Sequence, residues 1–289
     1  MDAMSATPPP EYVLARSVLL DALQALGPHL DAVVLVGAQA VYLHTGDAEL
    51  IVVPTTTDAD LALFPAKLLD EPLLEDALRG AGFELAADPG AWRGRFGVAV
   101  DLMVPEALSG ESSRRSARLP IHGNRAARRT TGLEPALVDN EFHEIRAFEA
   151  TDSRRVRLRV AGPAALLVAK VIKIEERREN PVRHAPKDGL DVLRLLQSTP
   201  TEVMAMRLTD LVRDPLAGAV TTAAVESLRS DGADPHGLIA SLAGTGVGNL
   251  ADPDTVRGSV AILVEELLAA LGSGVAWSGH VCRSRKHAI

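Results

Sequence analysis

Asp58 and Asp60, one residue apart, and Asp101, inside the run Val98–Val104, are the carboxylates of this sequence best placed to share a charge-dense ligand. The pair opens the stretch Asp60-Leu61-Ala62-Leu63-Phe64, whose alternation reads as a strand, so both side chains project from one face. Twenty-one positions before Asp58, Gly37 ends the β-branched run Asp31–Val36 and precedes a helix-favouring segment, Ala38–Leu43. Strand, glycine turn and helix N-terminus together form an anion site, because unpaired backbone N–H groups point outward and glycine lets a ligand approach. Carboxylates beside an anion site make chemical sense only if cations join them. Two magnesium ions held by Asp58, Asp60 and Asp101 would do so, while the Gly37-Ala38 turn takes the phosphates of a nucleoside triphosphate (NTP). The reaction such a site serves is attack of a hydroxyl on the α-phosphate, with Asp101 placed to accept the hydroxyl proton.

A second Asp-x-Asp pair, Asp252 and Asp254, has a proline between its members and precedes a long apolar periodicity. Those two are expected to be acids at a helix start. A cationic group lies in the second half: Lys170 and Lys173 share one helix face, followed by Arg177, Arg178 and the segment Lys187-Asp188-Gly189-Leu190-Asp191. The plain alternative is an amphipathic helix whose lysines reach solvent along their stems. Lys170, however, sits within Ala165–Ile172, where apolar neighbours would cover its stem. A role in nucleotide binding is therefore expected for Lys170 more than for Lys173, and removing Lys170 is expected to weaken that binding without unfolding the chain.

In this order, Gly37-Ala38-Gln39-Ala40, Asp58-Ala59-Asp60 and Asp101 resemble the minimal nucleotidyltransferase motif of the DNA polymerase beta superfamily. The lysine helix with Lys187-Asp188-x-x-Asp191 resembles, more narrowly, the AbiEii group, which includes the MenT toxins of toxin–antitoxin pairs. The likeness spans Val33 to Leu196. It implies a mixed-sheet nucleotidyltransferase fold of the α/β (α+β) class with a C-terminal helical domain. Asp58 and Asp60 would bind metal, Asp101 would be the third carboxylate, Lys170 would hold the triphosphate and Asp191 would be the acid of the last motif. It further implies transfer of a nucleoside monophosphate (NMP) to an RNA 3′ end, with tRNA the first candidate, and a cognate antitoxin as partner. Two alternatives stand beside it: modification of a small molecule such as an aminoglycoside or of a protein side chain, and a catalytically silent relative that only binds a partner. One departure concerns phosphate contact: Ala38 stands where the superfamily carries a second glycine or a serine.

Composition narrows the classes. The net charge of −8 argues against general nucleic-acid affinity, yet residues 111–187 carry 17 Lys and Arg against 10 Asp and Glu. That basic stretch beside a carboxylate site could hold a polyphosphate or an RNA backbone, although charge runs are commonly only solvated surface. The single cysteine, Cys282, rules out an internal disulfide and a cysteine-rich zinc site, and suits a reducing compartment. The eight histidines show no His-x-x-x-His spacing, so a zinc hydrolase is not expected. Ser109, Ser112 and Ser113 lack the strand–turn–helix setting of a nucleophile elbow. Gly244–Gly248 lacks the lysine of a phosphate loop and is expected to be a loop between helices. The absence of a signal core or an uncharged membrane-length run leads to an expected cytoplasmic location.

These residues need elements to hold them. Helical periodicity covers Glu11–Leu26 and Ala66–Arg79, and strands are expected around Asp58, around Asp101, and over His143–Glu149 and Arg155–Val160. The Ser/Arg/Gly-rich connection from Gly110 to Gly132 is expected to be a mobile loop. From Pro163 the pattern turns helical, with segments at 164–177, 188–197, 202–212, 221–230 and 255–271. The expected domains are therefore 1–161, nucleotidyltransferase, and 162–289, helical. Thr55, Thr56 and Thr57 precede the metal carboxylates, and a phosphate there would repel an incoming NTP, giving a kinase-like partner an off switch. The plainer expectation is a β-branched lead into a strand.

Overall fold

The computed structural model describes residues 8–46, 56–110 and 115–275. Helix α1 (Pro10–Ala25) begins with proline in its first turn, where a missing N–H costs nothing. Strand β1 (Val33–Val36) follows, and all four of its residues are buried, as expected of a central strand covered on both faces. Helix α2 (Gly37–Thr45) starts directly from it, and β2 (Asp58–Leu63), α3 (Leu74–Gly80), β3 (Glu84–Leu85), β4 (Ala91–Arg93) and β5 (Ala99–Pro105) come next. Strands β6 (Arg128–Thr130), β7 (Asn140–Arg146) and β8 (Arg155–Ala161) complete the sheet among the described residues. The order is β3-β4-β5-β2-β1-β8-β7, with β6 paired to the distal part of β5. It is a mixed sheet: β2 runs antiparallel to β1 and parallel to β5, while β8 runs parallel to β1. This is the mixed-sheet α/β class with helices following that the sequence predicts.

From Pro163 the described chain is helical: α4 (Pro163–Glu175), α5 (Pro186–Ser198), α6 (Thr201–Arg213), α7 (Gly218–Ser227), α8 (Leu238–Gly246) and α9 (Pro253–Val275). Helix α5 packs most extensively on α8 and also meets α2 and α4, so it ties the helical part to the sheet. Close approach at the α5–α8 crossing depends on Gly189, where a Cβ would lie 2.5 Å from the Ala243 amide nitrogen. Asp252 fills the expected helix-start role, its Oδ2 accepting from the Thr255 amide at 2.9 Å and from the Thr255 hydroxyl at 2.6 Å. No helix among the described residues is long and apolar enough to cross a membrane.

Three expectations are corrected. The helix expected over 66–79 is confined to α3, because Pro72 interrupts the pattern and the residues before it form only a short 3₁₀ turn, Pro65–Lys67. Gly244 to Gly246 form the last turn of α8 rather than a loop; small residues let this helix pack closely on its neighbours. The connection after Gly110 is not simply a loose loop, since it contains β6 and buries Ala117, Leu119, Ala126 and Ala127. The two- and three-residue strands β3, β4 and β6 are too short to show a periodicity.

Candidate active site

Strand pairing gathers the three aspartates. Asp60 is directly opposite Asp101 in the parallel β2–β5 ladder, and Asp58 lies two positions earlier on the same face of β2. Their carboxylates line a cleft of about 390 Å³ with Gly37 and Ala38 at its edge. Gly37 has φ of +68°, and a Cβ there would lie 2.0 Å from Asp60 Oδ2, so the α2 N-terminus and the Asp60 carboxylate are in intimate contact. Only glycine allows that approach. The Gly37→Ala variant is expected to displace Asp60 and lower activity by at least ~10-fold, while the left-handed backbone costs about 1–2 kcal/mol of stability. Turnover measured beside the unfolding midpoint checks this, and normal turnover would contradict it.

Two of the three carboxylates are held by neighbouring side chains. Thr56, 2% exposed, donates its hydroxyl to Asp58 Oδ1 at 2.5 Å. Gln39 Nε2 donates to the Asp58 carbonyl at 3.0 Å and is itself fixed by buried Arg16, whose Nε donates to Gln39 Oε1 at 2.9 Å. Arg128 Nη2 lies 2.9 Å from Asp101 Oδ2. Burial pushes the Asp101 carboxyl above its usual range; Arg128 pulls it down, and Asp60 and Asp58 push it up again. Carboxylates that repel one another in a half-buried cleft form a hard-oxygen donor set, and this fits magnesium.

The opposite wall is cationic. Lys170, Lys173, Arg177, Arg183 and Lys187 line the cleft, and Arg128 joins them from β6. Lys170 is 4% exposed, and its ammonium bridges Asp188 Oδ1 at 2.9 Å and Asp191 Oδ2 at 2.6 Å. Asp191, fully buried, stands behind Lys170 rather than in the cleft lining, and Arg194 Nη1 lies 3.3 Å from its other oxygen. Asp188 also meets Lys173 Nζ at 3.4 Å and Arg177 Nη1 at 3.2 Å. Burial raises the Asp188 carboxyl, but Lys170, Lys173 and Arg177 outweigh it and hold the group at about 2. Burial lowers the Lys173 ammonium, and neighbouring Lys170 lowers it further. With 38% of its side chain exposed, Lys173 is the lysine of this helix that presents charge to the cleft.

The structure thus brings Gly37, Ala38, Asp58, Asp60, Asp101, Lys170 and Lys173 into one cleft, with Asp191 one layer behind. Sequence reasoning missed Arg128, Thr56, Gln39 and Asp188 as supports. A signal existed for Asp188, which lies one helical turn before Asp191 and faces the same lysine. None existed for Arg128, one of three arginines within five residues. Against the expectation that Lys170 could be removed without disturbing the fold stands its enclosure by two buried carboxylates, a geometry expected to hold the wall together. Of the three threonines, Thr55 lies outside the described residues, Thr56 is committed to Asp58, and Thr57 is exposed.

Comparison with curated proteins finds no match, and comparison with solved structures finds none either. Comparison with protein families does: the profile of a family described as Nucleotidyltransferase matches residues 16–213, which include the C-terminal part of α1, every described strand and helices α2 to α6. With more than half its length matched, and with the three aspartates and the cationic wall inside the matched region, the chain belongs to that nucleotidyltransferase family.

Proposed function

We propose that the protein transfers an NMP from an NTP to the 3′ end of an RNA, with tRNA as the acceptor, and thereby acts as the toxin of a toxin–antitoxin pair. The observation that carries the transfer chemistry is the cleft itself, a three-carboxylate floor facing a cationic wall. Asp58, Asp60 and Asp101 would hold two magnesium ions, which supply charge neutralisation and Lewis acidity when bound. The Gly37-Ala38 turn offers backbone N–H groups to the phosphates. Lys173, Arg177, Arg183 and Lys187 take the polyphosphate charge. Lys170 serves the triphosphate through Asp188 and Asp191, which set where the wall stands.

The acceptor 3′ oxygen attacks the α-phosphorus and gives its proton to Asp101. The bond from the α-phosphorus to the bridging oxygen breaks, and pyrophosphate leaves with that bond's electron pair. Six cations from the basic stretch between residues 111 and 187, Arg128, Lys170, Lys173, Arg177, Arg183 and Lys187, line the cleft of a chain that is otherwise acidic, which supports a nucleic-acid acceptor. A cognate antitoxin that is kinase-like could reach Thr57, the exposed threonine next to Asp58.

The test is incubation of the purified chain with total RNA, magnesium and each α-labelled NTP in turn. Label on RNA of tRNA size from one NTP is expected. Label on protein or on a small acceptor, with none on RNA, would replace the RNA reading.

A further inference from the structure

The fold assembles a histidine cluster that spacing alone conceals. His44 lies in the last turn of α2, and Glu141 and His143 lie two apart on β7, hence on one face of the sheet's edge strand. None of the three lines the cleft. One ligand atom from each falls within 4.8 Å of the others. The two imidazoles meet edge to face with centroids 5.2 Å apart, and His143 Nε2 sits 3.2 Å from Glu141 Oε1.

The tautomer of His44 is decided by its neighbour. Its Nε2 lies 2.7 Å from the Ala161 carbonyl oxygen, which can only accept, so Nε2 carries the proton and donates. In the neutral ring, Nδ1 is left with a free lone pair. A backbone carbonyl that orients one imidazole nitrogen and leaves the other free to take a metal is the arrangement that supports a metal-bound histidine.

We propose that His44, Glu141 and His143 form a metal site that takes a zinc-like divalent cation in preference to magnesium and ties the end of α2 to β7. Two imidazoles and one carboxylate, with room for a water, suit a four-coordinate borderline cation; magnesium wants oxygen ligands in an octahedron. Bonds of about 2.0–2.2 Å put neighbouring ligand atoms roughly 3.4 Å apart. His143 Nε2 and Glu141 Oε1, 3.2 Å apart, already meet that spacing, so closing the cluster draws this half-exposed pair and His44, within 4.8 Å of each other, together by up to about 1.4 Å. The opposite end of α2 is the Gly37 turn, so the ion would brace the helix that also lines the cleft.

The test uses the full chain, freed of metal and titrated with Zn²⁺ alone against a competing chromophore, with a ten-fold excess of Mg²⁺ present. The wild type is expected to hold one more equivalent than His143→Gln or Glu141→Gln, and its melting temperature to rise with zinc where theirs does not. Loss of a ligand is expected to weaken this site by at least ~10²-fold, beyond the effect of losing an orienting partner. Zinc bound by the cleft aspartates or by His280, Cys282 and His287 is common to all three proteins and cancels in the comparison. Should His143→Gln lose its cooperative melt, Glu141→Gln, at an exposed position, decides. Equal zinc content and equal zinc response in the wild type and the folded variants would overturn the proposal, leaving His143 and Glu141 as a simple hydrogen-bonded pair.

Discussion

Asp60→Ala is expected to lower nucleotidyl transfer by at least ~10²-fold while leaving the unfolding transition nearly unchanged, since metal charge stabilisation is worth several kcal/mol of barrier. Asp60 is the central carboxylate: it faces Asp101 across the ladder, shares a strand face with Asp58 and touches the Gly37 turn. Its removal relieves charge repulsion among the three carboxylates, so no large loss of stability accompanies the loss of activity. Asp252→Ala supplies the contrast. It removes the cap of α9, which costs about 1 kcal/mol, and leaves transfer intact. Initial rates and chemical denaturation on both variants separate the roles. Near-normal transfer by Asp60→Ala would show that the metal site lies elsewhere.

Lys170→Met is expected to destabilise the protein by about 3–5 kcal/mol, the cost of stripping a buried ion pair of one partner. The methionine fills the lysine's volume, but Asp188 and Asp191, 1% and 0% exposed, lose the ammonium that both of them contact. Acid should expose the same network. The Asp188 carboxyl is held at about 2, below the ordinary 3.8, so its contribution is fully present above the ordinary value and is lost as pH falls towards 2. Without Lys170 that depression weakens, and the loss of stability with acid shifts to higher pH. Urea denaturation across an acid series measures both effects. A variant less than ~1 kcal/mol weaker, with an unchanged acid profile, would contradict the clamp.

Much of this site was legible because it rests on short-range pattern. The strand alternation after Asp58, the glycine after β1 and the apolar helix around Lys170 each follow from local spacing, and the structure puts them in one cleft. What was not legible depends on pairing between distant segments. Arg128 reaches Asp101 only because β6 joins the end of β5. Asp188 and Asp191 enclose Lys170 only because α5 packs on α4. His44 and His143, 99 positions apart, meet only because the end of α2 lies beside β7. Composition also misled in one place. The small residues of α8 read as a loop because glycine has low helix propensity, yet packing against α5 favours them there.

The cleft is expected to move an α-phosphate with its nucleoside and to release pyrophosphate. The direct measurement is a paired reaction with one NTP labelled at the α-phosphate in one tube and at the γ-phosphate in the other, each with magnesium and the RNA pool. The α-label is expected to become attached to the acceptor while the γ-label appears in pyrophosphate, and Asp60→Ala is expected to do neither. Transfer of the γ-label to an acceptor, or its release as orthophosphate with the α-label left on a free nucleotide, would contradict it.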